Sequence, residues 1–318
     1  MQISTLVIGL GNIGMGYDLV KTDSKSKLSH AGAINNNPYF KLTAGVDSDR
    51  TARTIFEKEF KSKSFINISE ALISTSPELA IIATPIHVRL DLVEELLESK
   101  ALRVILIEKP LAKNAREASK IIQLCQENGI KLFVNYMRNS SQGTLNFKEW
   151  LDNQDTSGFF SGNIWYQGGL LNNGSHFVNL LEFLLGPVVK FIRFNPHDFD
   201  VSDPDNPHGI LLFPNGSVSI TPIECGGAKV NGLRIFFKNF SFELSRELGG
   251  FTVRNCVDDP IFKGNSMLEP VAQEFPIDIG ELQSDVLNQI KNYLIGKKFA
   301  VCTGEQAMQT ISILNPTT

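Results

Sequence analysis

The sequence is short of the features that mark several protein classes. Its four cysteines, Cys125, Cys225, Cys256 and Cys302, form no C-x-x-C pair, and its five histidines are as dispersed. Structural zinc sites bring their ligands in close pairs, so the pattern points to buried or incidental thiols, with no disulfide and no metal. There is no run of Lys or Arg, and the formal charge is −4. A nucleic-acid binder carries a basic patch or stripe, so nucleic acid is not an expected partner. No stretch approaches the roughly 20 apolar residues that cross a bilayer. Met1-Gln2-Ile3-Ser4-Thr5 lacks the basic start and cleavage site of a secretory signal. A cytoplasmic protein without membrane contact is expected.

What the chain does have is material for a sizeable core. It is 42% hydrophobic and 20% charged over 318 residues, a length that suits two domains. Up to Asn135, short β-branched runs alternate with helical patterns, as in a parallel α/β sheet. The strand candidates are Ile3 to Ile8, Lys41 to Val46, Leu79 to Ala83, Val104 to Ile107 and Lys131 to Val134. Their nearly continuous apolar character suits strands covered on both faces. Between the last two, Asn114 and Glu117 make a capping-box pattern. Ala115, Ala118, Ile121, Ile122 and Cys125 follow at helical spacing, and Gly129 supplies the stop.

Beyond Asn135, strand candidates follow one another with few helices. They are Phe159 to Tyr166, Val189 to Phe194, Gly209 to Phe213, Ser217 to Pro222, Leu233 to Phe237 and Phe240 to Ser245. Pro214-Asn215-Gly216 reads as a hairpin because Asn-Gly tolerates positive φ, and Lys238-Asn239 reads as another turn. The clusters Asn195 to Asp198 and Asp203 to Pro207 read as loops. A largely antiparallel open sheet is expected, with helices near His176 to Leu185 and Gly280 to Ile295. The fold class is therefore α/β, a doubly wound parallel sheet followed by an α+β domain, divided as residues 1–136 and 137–318. The C-terminal helix has the option of packing back on the first domain.

Gly9-Leu10-Gly11-Asn12-Ile13-Gly14 follows the first strand. Small residues there let the backbone turn tightly and bring N–H groups to a pyrophosphate, which is the Rossmann signature. A glycine-rich turn without a ligand is the alternative. The acid ending the second strand, Asp47, usually lies about 20 residues beyond the glycines, but here it lies 33 positions beyond Gly14. The excess sits in the polar stretch Met15 to Ser29, and the helical pattern restarts at His30. The stretch reads as an insertion over the cofactor or substrate mouth, a lid or a plain surface loop. Asp47 can accept hydrogen bonds from both ribose hydroxyls and repels a 2′-phosphate. NAD is therefore favoured over NADP, although Arg50 offers a phosphate a partner. A strand-end turn former is the other reading of Asp47.

Three further segments carry a resemblance. Ala83-Thr84-Pro85-Ile86-His87-Val88-Arg89 follows the strand at Leu79, Ile107-Glu108-Lys109-Pro110 ends the next strand, and Gly168-Gly169-Leu170-Leu171-Asn172-Asn173-Gly174-Ser175-His176 lies in the second half. Together they resemble the Gfo/Idh/MocA family, whose patterns read T-P-N-x-x-H, E-K-P and roughly G-G-x-L-x-D-x-G-x-H-x-x-D. Ile86 and Arg89 depart from the first pattern, and His87 lies two positions before its histidine. Asn172 and Asn179 stand where many members have aspartate.

The resemblance implies a nicotinamide-dependent oxidoreductase acting on a hydroxyl or keto carbon of a sugar, cyclitol or nucleotide-sugar. It gives the first domain to NAD and the second to substrate binding, with a homodimer or homotetramer formed through the C-terminal sheet. Cofactor contacts fall to Gly9, Gly11, Asn12, Ile13, Gly14, Asp47, Thr84, Pro85, Glu108 and Lys109. In the family the lysine approaches the reacting oxygen and its peptide bond to proline is often cis. An ammonium there stabilises developing negative charge. His176 would move the proton as general base or acid, and Asn172 would orient hydroxyls without carrying charge. Tyr166 is a second candidate proton donor. Two other readings stay open: a sugar- or NAD(P)-sensing regulator without turnover, and redox-assisted glycoside cleavage.

Overall fold

The computed structural model describes residues 2–19, 27–194, 206–228, 230–245, 247 and 249–315. Residues 20–26 of the insertion, and the loops expected at 195–198 and 203–205, lie outside the described residues. Two compact units emerge, one built from the chain up to Ser141 with Ile279–Ser312, the other from Gln142–Asp278 with a few C-terminal residues. The division thus falls at Ser141 rather than at residue 136, and the segment 279–312 returns to the first unit.

The first unit contains six parallel strands: β1 (Ile3–Ile8), β2 (Phe40–Val46), β3 (Lys63–Phe65), β4 (Leu79–Ile82), β5 (Val104–Ile107) and β6 (Lys131–Val134). Their order is β3-β2-β1-β4-β5-β6, so the direction of winding reverses between β1 and β4. Helices α1 (His30–Asn35), α2 (Arg50–Phe60), α3 (Ile68–Ser74), α4 (Arg89–Leu96) and α5 (Ala115–Glu127) connect them. Alternate strand residues feed two cores, as the period of two requires. Leu6, Ile82, Ile105 and Ile107 pack with Val93 of α4 and Ile121 of α5. Val7, Ile81, Val104 and Leu106 pack with Ala31 and Ile34 of α1. Every residue of β4 and β5 is buried, hence the unbroken apolar runs. The capping box is present: Asn114 accepts from the Glu117 N–H at 3.0 Å, and Glu117 accepts from the Lys113 N–H at 2.9 Å.

The insertion leaves and rejoins one helical path. The His30 N–H donates to the Ile13 carbonyl at 3.0 Å, and the Ala31 N–H to the Gly14 carbonyl at 2.9 Å. The glycine turn therefore continues directly into α1, and the helix start is not displaced from it. Asp18 secures the return, accepting from the Leu28 and Ser29 N–H groups at 2.8 and 3.1 Å. Ser29 caps α1 by accepting from the Gly32 N–H at 3.1 Å.

The second unit holds α6 (Gln142–Asp152), β7 (Phe160–Tyr166), α7 (Ser175–Leu185), β8 (Lys190–Arg193), β9 (Gly209–Phe213), β10 (Gly216–Pro222), β11 (Gly232–Phe236), β12 (Phe240–Ser245), β13 (Gly250–Asp258), β14 (Ser266–Leu268) and β15 (Gln273–Pro276). The order is β14-β13-β12-β11-β7-β10-β9-β8, with β15 also on β13. Only the central pair β7 and β10 runs parallel; the other pairs are antiparallel. Neither α6 nor the three strands after residue 250 stood out in the sequence. Phe147 of α6 explains much of the packing: it stacks on Phe251 at 4.1 Å and meets Phe242 edge-on at 4.8 Å.

The hairpin at Pro214-Asn215 is present, for a different reason than expected. Phe213 pairs with Gly216, so the two-residue loop is Pro214-Asn215, and neither Asn215 nor Gly216 has positive φ. Gly216 is instead a packing requirement, because a Cβ there would lie 2.5 Å from the Phe160 ring.

In the returning segment, α8 (Leu282–Leu294) adds Val286, Leu287 and Ile290 to the core beneath α1. The chain then passes along the β6 edge, where the Val134 N–H donates to the Cys302 carbonyl at 2.9 Å. Helix α9 (Gly304–Leu314) sets Ala307 and Ile311 beside α5 in the other core. A fragment ending at Ser141 would expose both of these surfaces. In urea, followed by far-UV circular dichroism, it is expected to lack the cooperative transition of the full chain; a sharp transition in the fragment would contradict this division.

Candidate active site

Ligands of doubly wound sheets bind outside the carboxyl ends of the strands, where the winding reverses. In the first unit that crevice lies beyond β1 and β4. Close backbone passage shapes it. Gly9 has φ +93°, and a Cβ there would sit 2.7 Å from the Ala83 carbonyl oxygen; a Cβ on Gly14 would sit 2.0 Å from the Gly9 oxygen. Neither position admits another residue without displacing backbone. Gly11 differs: it is exposed, and a Cβ would meet nothing within 4 Å. Space is thus open over the turn formed by Gly11, Asn12 and Ile13. Thr84, at the end of β4, has a buried hydroxyl with no hydrogen-bond partner. Open space above a glycine turn and an unused buried hydroxyl beside it fit a dinucleotide, since buried polar atoms are nearly always paired. Pro85, next in the chain, is exposed.

Asp47 stands at the end of β2 with both oxygens oriented. One accepts from the Leu10 N–H at 2.7 Å, the other from the Asp49 N–H at 2.9 Å. Arg53 donates to the carbonyls of Asp47 and Ser48 at 2.7 and 2.9 Å, which fixes the strand end. The carboxylate is held beside the glycine turn by backbone and remains half-exposed.

At the end of β5, Glu108 is buried and accepts two side-chain hydrogen bonds on one oxygen, from Asn135 at 2.7 Å and from His30 at 2.8 Å. Asn135 also donates to Gln283 of α8 at 3.1 Å. Burial alone would push the Glu108 carboxyl up. The bonds from His30 and Asn135, with the charges of His30 and Arg89, outweigh burial and hold it below the ordinary range. Lys109 follows, half-buried, with a cis peptide bond to Pro110. Burial pulls its ammonium below the usual lysine range; Glu108 opposes this, while the Arg138 and Arg89 cations add to it.

These features meet in one relationship: residues 3–136 match the family described as the oxidoreductase family with an NAD-binding Rossmann fold. This stretch is similar to the nucleotide-binding part of the Gfo/Idh/MocA oxidoreductases. The chain is accordingly an oxidoreductase of the type that binds a nicotinamide dinucleotide. No curated protein matches the sequence. Solved structures extend the likeness to the whole chain. They include an NAD-binding oxidoreductase from Klebsiella pneumoniae (TM-score 0.75, 16% identity, covering 98% of this chain and 95% of that one). UDP-N-acetylglucosamine 3-dehydrogenase GnnA from Acidithiobacillus ferrooxidans gives 0.74 and 14%, again with 98% and 95% covered. The WlbA dehydrogenase from Bordetella pertussis, in complex with NADH and UDP-GlcNAcA, gives 0.73 and 16%, with 99% and 94% covered. At such identities the likeness is one of fold.

In the second unit, the segment matching the third Gfo/Idh/MocA pattern is held by its own polar groups. Gly168 and Gly169 have φ of +73° and +95°. The Gly169 N–H donates to Asn206 at 3.0 Å, and Asn173 donates to the Gln167 carbonyl at 2.7 Å. Leu170–Gly174 forms a π-helical turn leading into α7. His176 is the second residue of α7 and is 7% exposed; Asn179, one turn on, is buried. Asn172 lies on the turn, exposed, its amide donating to the Gly168 carbonyl at 3.2 Å. Tyr166 is no candidate proton donor: it is fully buried and its hydroxyl donates to the Pro207 carbonyl at 2.9 Å.

Lys109 and the nucleotide-contact candidates thus share the first unit, whereas His176 and Asn172 belong to the second. Sequence reasoning missed His30 and Asn135 as partners of Glu108, Gln283 as a partner of Asn135, and Arg89 as a buried group. The signal for Arg89 was its place in α4, on the same face as Val93 and Leu96. Among the described residues no three His, Cys, Asp or Glu side chains gather as a metal site, and the four cysteines are free thiols.

A carboxylate with a depressed folded-state pKa stabilises the fold above its unfolded pKa, and that stability is lost as pH falls through the folded value. Thermal stability of the wild type should therefore fall steeply below about pH 4.5. Glu108→Gln should be less stable at neutral pH and should lose less on acidification. Equal acid dependence of the two melting temperatures would remove Glu108 from that role.

Proposed function

We propose that this chain is an NAD-linked dehydrogenase that exchanges a hydride with a carbinol carbon of a sugar, cyclitol or nucleotide-sugar. The carrying observation is Lys109. It sits at the carboxyl end of β5 in the unit with the glycine turn, half-buried, with its ammonium pulled toward neutrality. Bound NAD supplies the hydride acceptor. Lys109 donates a hydrogen bond to the reacting oxygen and stabilises the charge that develops there. His176 takes the hydroxyl proton during oxidation and returns it during reduction. Asn172, an uncharged amide, holds a neighbouring hydroxyl.

The contact set for NAD is Gly9, Gly11, Asn12, Ile13, Gly14, Asp47, Thr84, Pro85, Glu108 and Lys109. Preference for NAD over NADP rests on Asp47, whose carboxylate is pinned by Leu10 and Asp49 at the place where a 2′-phosphate would add like charge. Nucleotide-linked sugars are favoured by analogy: two relatives in fold are a UDP-N-acetylglucosamine 3-dehydrogenase and a dehydrogenase bound to UDP-GlcNAcA. One observation favours a sensor without turnover, namely that Asn172 and the buried Asn179 replace the family's aspartates.

The test is Lys109→Ala assayed with NAD across cyclitols, hexoses and UDP-sugars. Turnover should fall at least about a hundredfold while NADH binding, read by fluorescence, is retained. Wild type that binds NADH and turns over nothing in the panel would favour the sensor; full activity in Lys109→Ala would remove the lysine. We also propose a homodimer or homotetramer formed through the nine-stranded sheet, whose strands β8 and β11 expose Ile192 and Phe236 and whose loops expose Ile261 and Phe262. Light scattering should give a mass two or four times that of the 35.2 kDa chain, and a monomer would refute it.

A further inference from the structure

The first Gfo/Idh/MocA motif carries histidine at the position where this chain has Arg89. Arg89 opens α4 and is 5% exposed, on the same buried face as Val93 and Leu96. All three nitrogens of its guanidinium are engaged with backbone. Nε and Nη2 donate to the Thr84 carbonyl at 3.1 and 2.9 Å, and Nη1 donates to the carbonyls of Glu108 and Pro110. Those last two carbonyls flank Lys109 on either side. The guanidinium thus ties the turn after β4 to the turn after β5 through three carbonyl oxygens. A rigid fork of five donors on three nitrogens reaches all three, whereas an imidazole has at most two donors and an ammonium gathers its three on a single atom. Burial costs this cation enough to lower its pKa to about 10, opposed by Glu108, Glu117 and Tyr136. A charge buried this deeply needs a local reason, and the held turns supply one.

We propose that Arg89 is a positioning residue that locks the Thr84 turn to the Glu108–Pro110 turn and thereby aims Lys109 into the nucleotide crevice. The proposal rests on the catalytic role assigned to Lys109 above. Its second consequence is electrostatic, because Arg89 is one of the charged groups facing Lys109, together with Glu108 and Arg138. Removing a like charge raises a lysine's pKa, and so does the added hydration of a loosened turn.

The experiment reads Lys109 directly and needs no substrate. Wild type, Arg89→Met and Arg89→Lys are pulsed with acetic anhydride across pH, and acetylation is followed by peptide mass spectrometry, with the exposed Lys58 as internal reference. In Arg89→Met the half-labelling pH of Lys109 should rise by about half a unit or more, while Lys58 stays fixed. An unchanged midpoint in a folded Arg89→Met protein overturns the proposal, because the lost cation and the loosened turn would both raise it. Should Arg89→Met not fold, Arg89→Lys carries the test. It keeps a cation but replaces the planar three-nitrogen fork with donors on one flexible atom, so amide hydrogen exchange across 84–88 and 108–112 should quicken at least about tenfold, and unchanged protection overturns the proposal. NADH titration of the wild type keeps the two readings apart. Failure to bind nucleotide sinks the dehydrogenase assignment, whereas labelling and exchange judge Arg89 either way.

Discussion

The first unit depends on a single close passage of backbone over backbone. Gly9 leaves β1 against the end of β4, donating to the Val46 carbonyl at 2.8 Å while Ala83 donates to Ile8 at 2.7 Å. Gly14 then returns so tightly that any side chain would collide with the Gly9 oxygen. Three strand ends are fixed at once, and with them the crevice that a dinucleotide needs. The same passage explains why the long insertion is tolerated. It enters after Gly14 and rejoins at His30, whose N–H still finds the Ile13 carbonyl, so the helical register is kept across it. Loop length costs little entropy once the ends are fixed.

Behind this passage lies a buried polar cluster that joins distant parts of the chain. His30 comes from α1, Glu108 from the end of β5, Asn135 from the end of β6 and Gln283 from α8. A buried carboxylate is tolerated only when its lone pairs are met, and here one oxygen receives two donors. The cluster therefore requires the returning C-terminal segment, since Gln283 accepts the second proton of the Asn135 amide. The apolar contribution of Val286, Leu287 and Ile290 to the core beneath α1 sets the same requirement. The nucleotide-binding unit is built from both ends of the chain.

Much of this was legible in sequence wherever a local rule sufficed. The strands β1, β4, β5 and β6 announced themselves by continuous apolar runs, and α5 by its cap, its spacing and Gly129. The glycine turn and the E-K-P segment were readable because their chemistry is local. What escaped depends on tertiary context. Strand β13 begins at Gly250 and ends in exposed residues, so its alternation is broken. Helix α6 buries Phe147 and Leu151 but has few other apolar positions. Gly216 was read as a conformational glycine, yet it is a packing glycine, and only the position of Phe160 decides between the two. The boundary between units was hidden because a chain that leaves a domain and returns to it leaves no composition mark.

The exchange of histidine for Arg89 and the position of Glu108 are best understood together. An imidazole has two ring nitrogens and spans at most two partners, whereas the guanidinium reaches Thr84, Glu108 and Pro110 at once. That gain in rigidity brings a permanent charge into the protein, where an unpaired cation is costly. Glu108 supplies the compensating anion, and in the same step Arg89 helps hold the Glu108 carboxyl ionised. Lys109 lies between these opposing fields: Glu108 raises its pKa, Arg89 and Arg138 lower it, and burial tips the balance downward. The carboxylate beside the lysine is bonded by His30 and Asn135, and its field acts on both Arg89 and Lys109. Burial therefore lowers the pKa of the ammonium even though a carboxylate stands next to it in the chain.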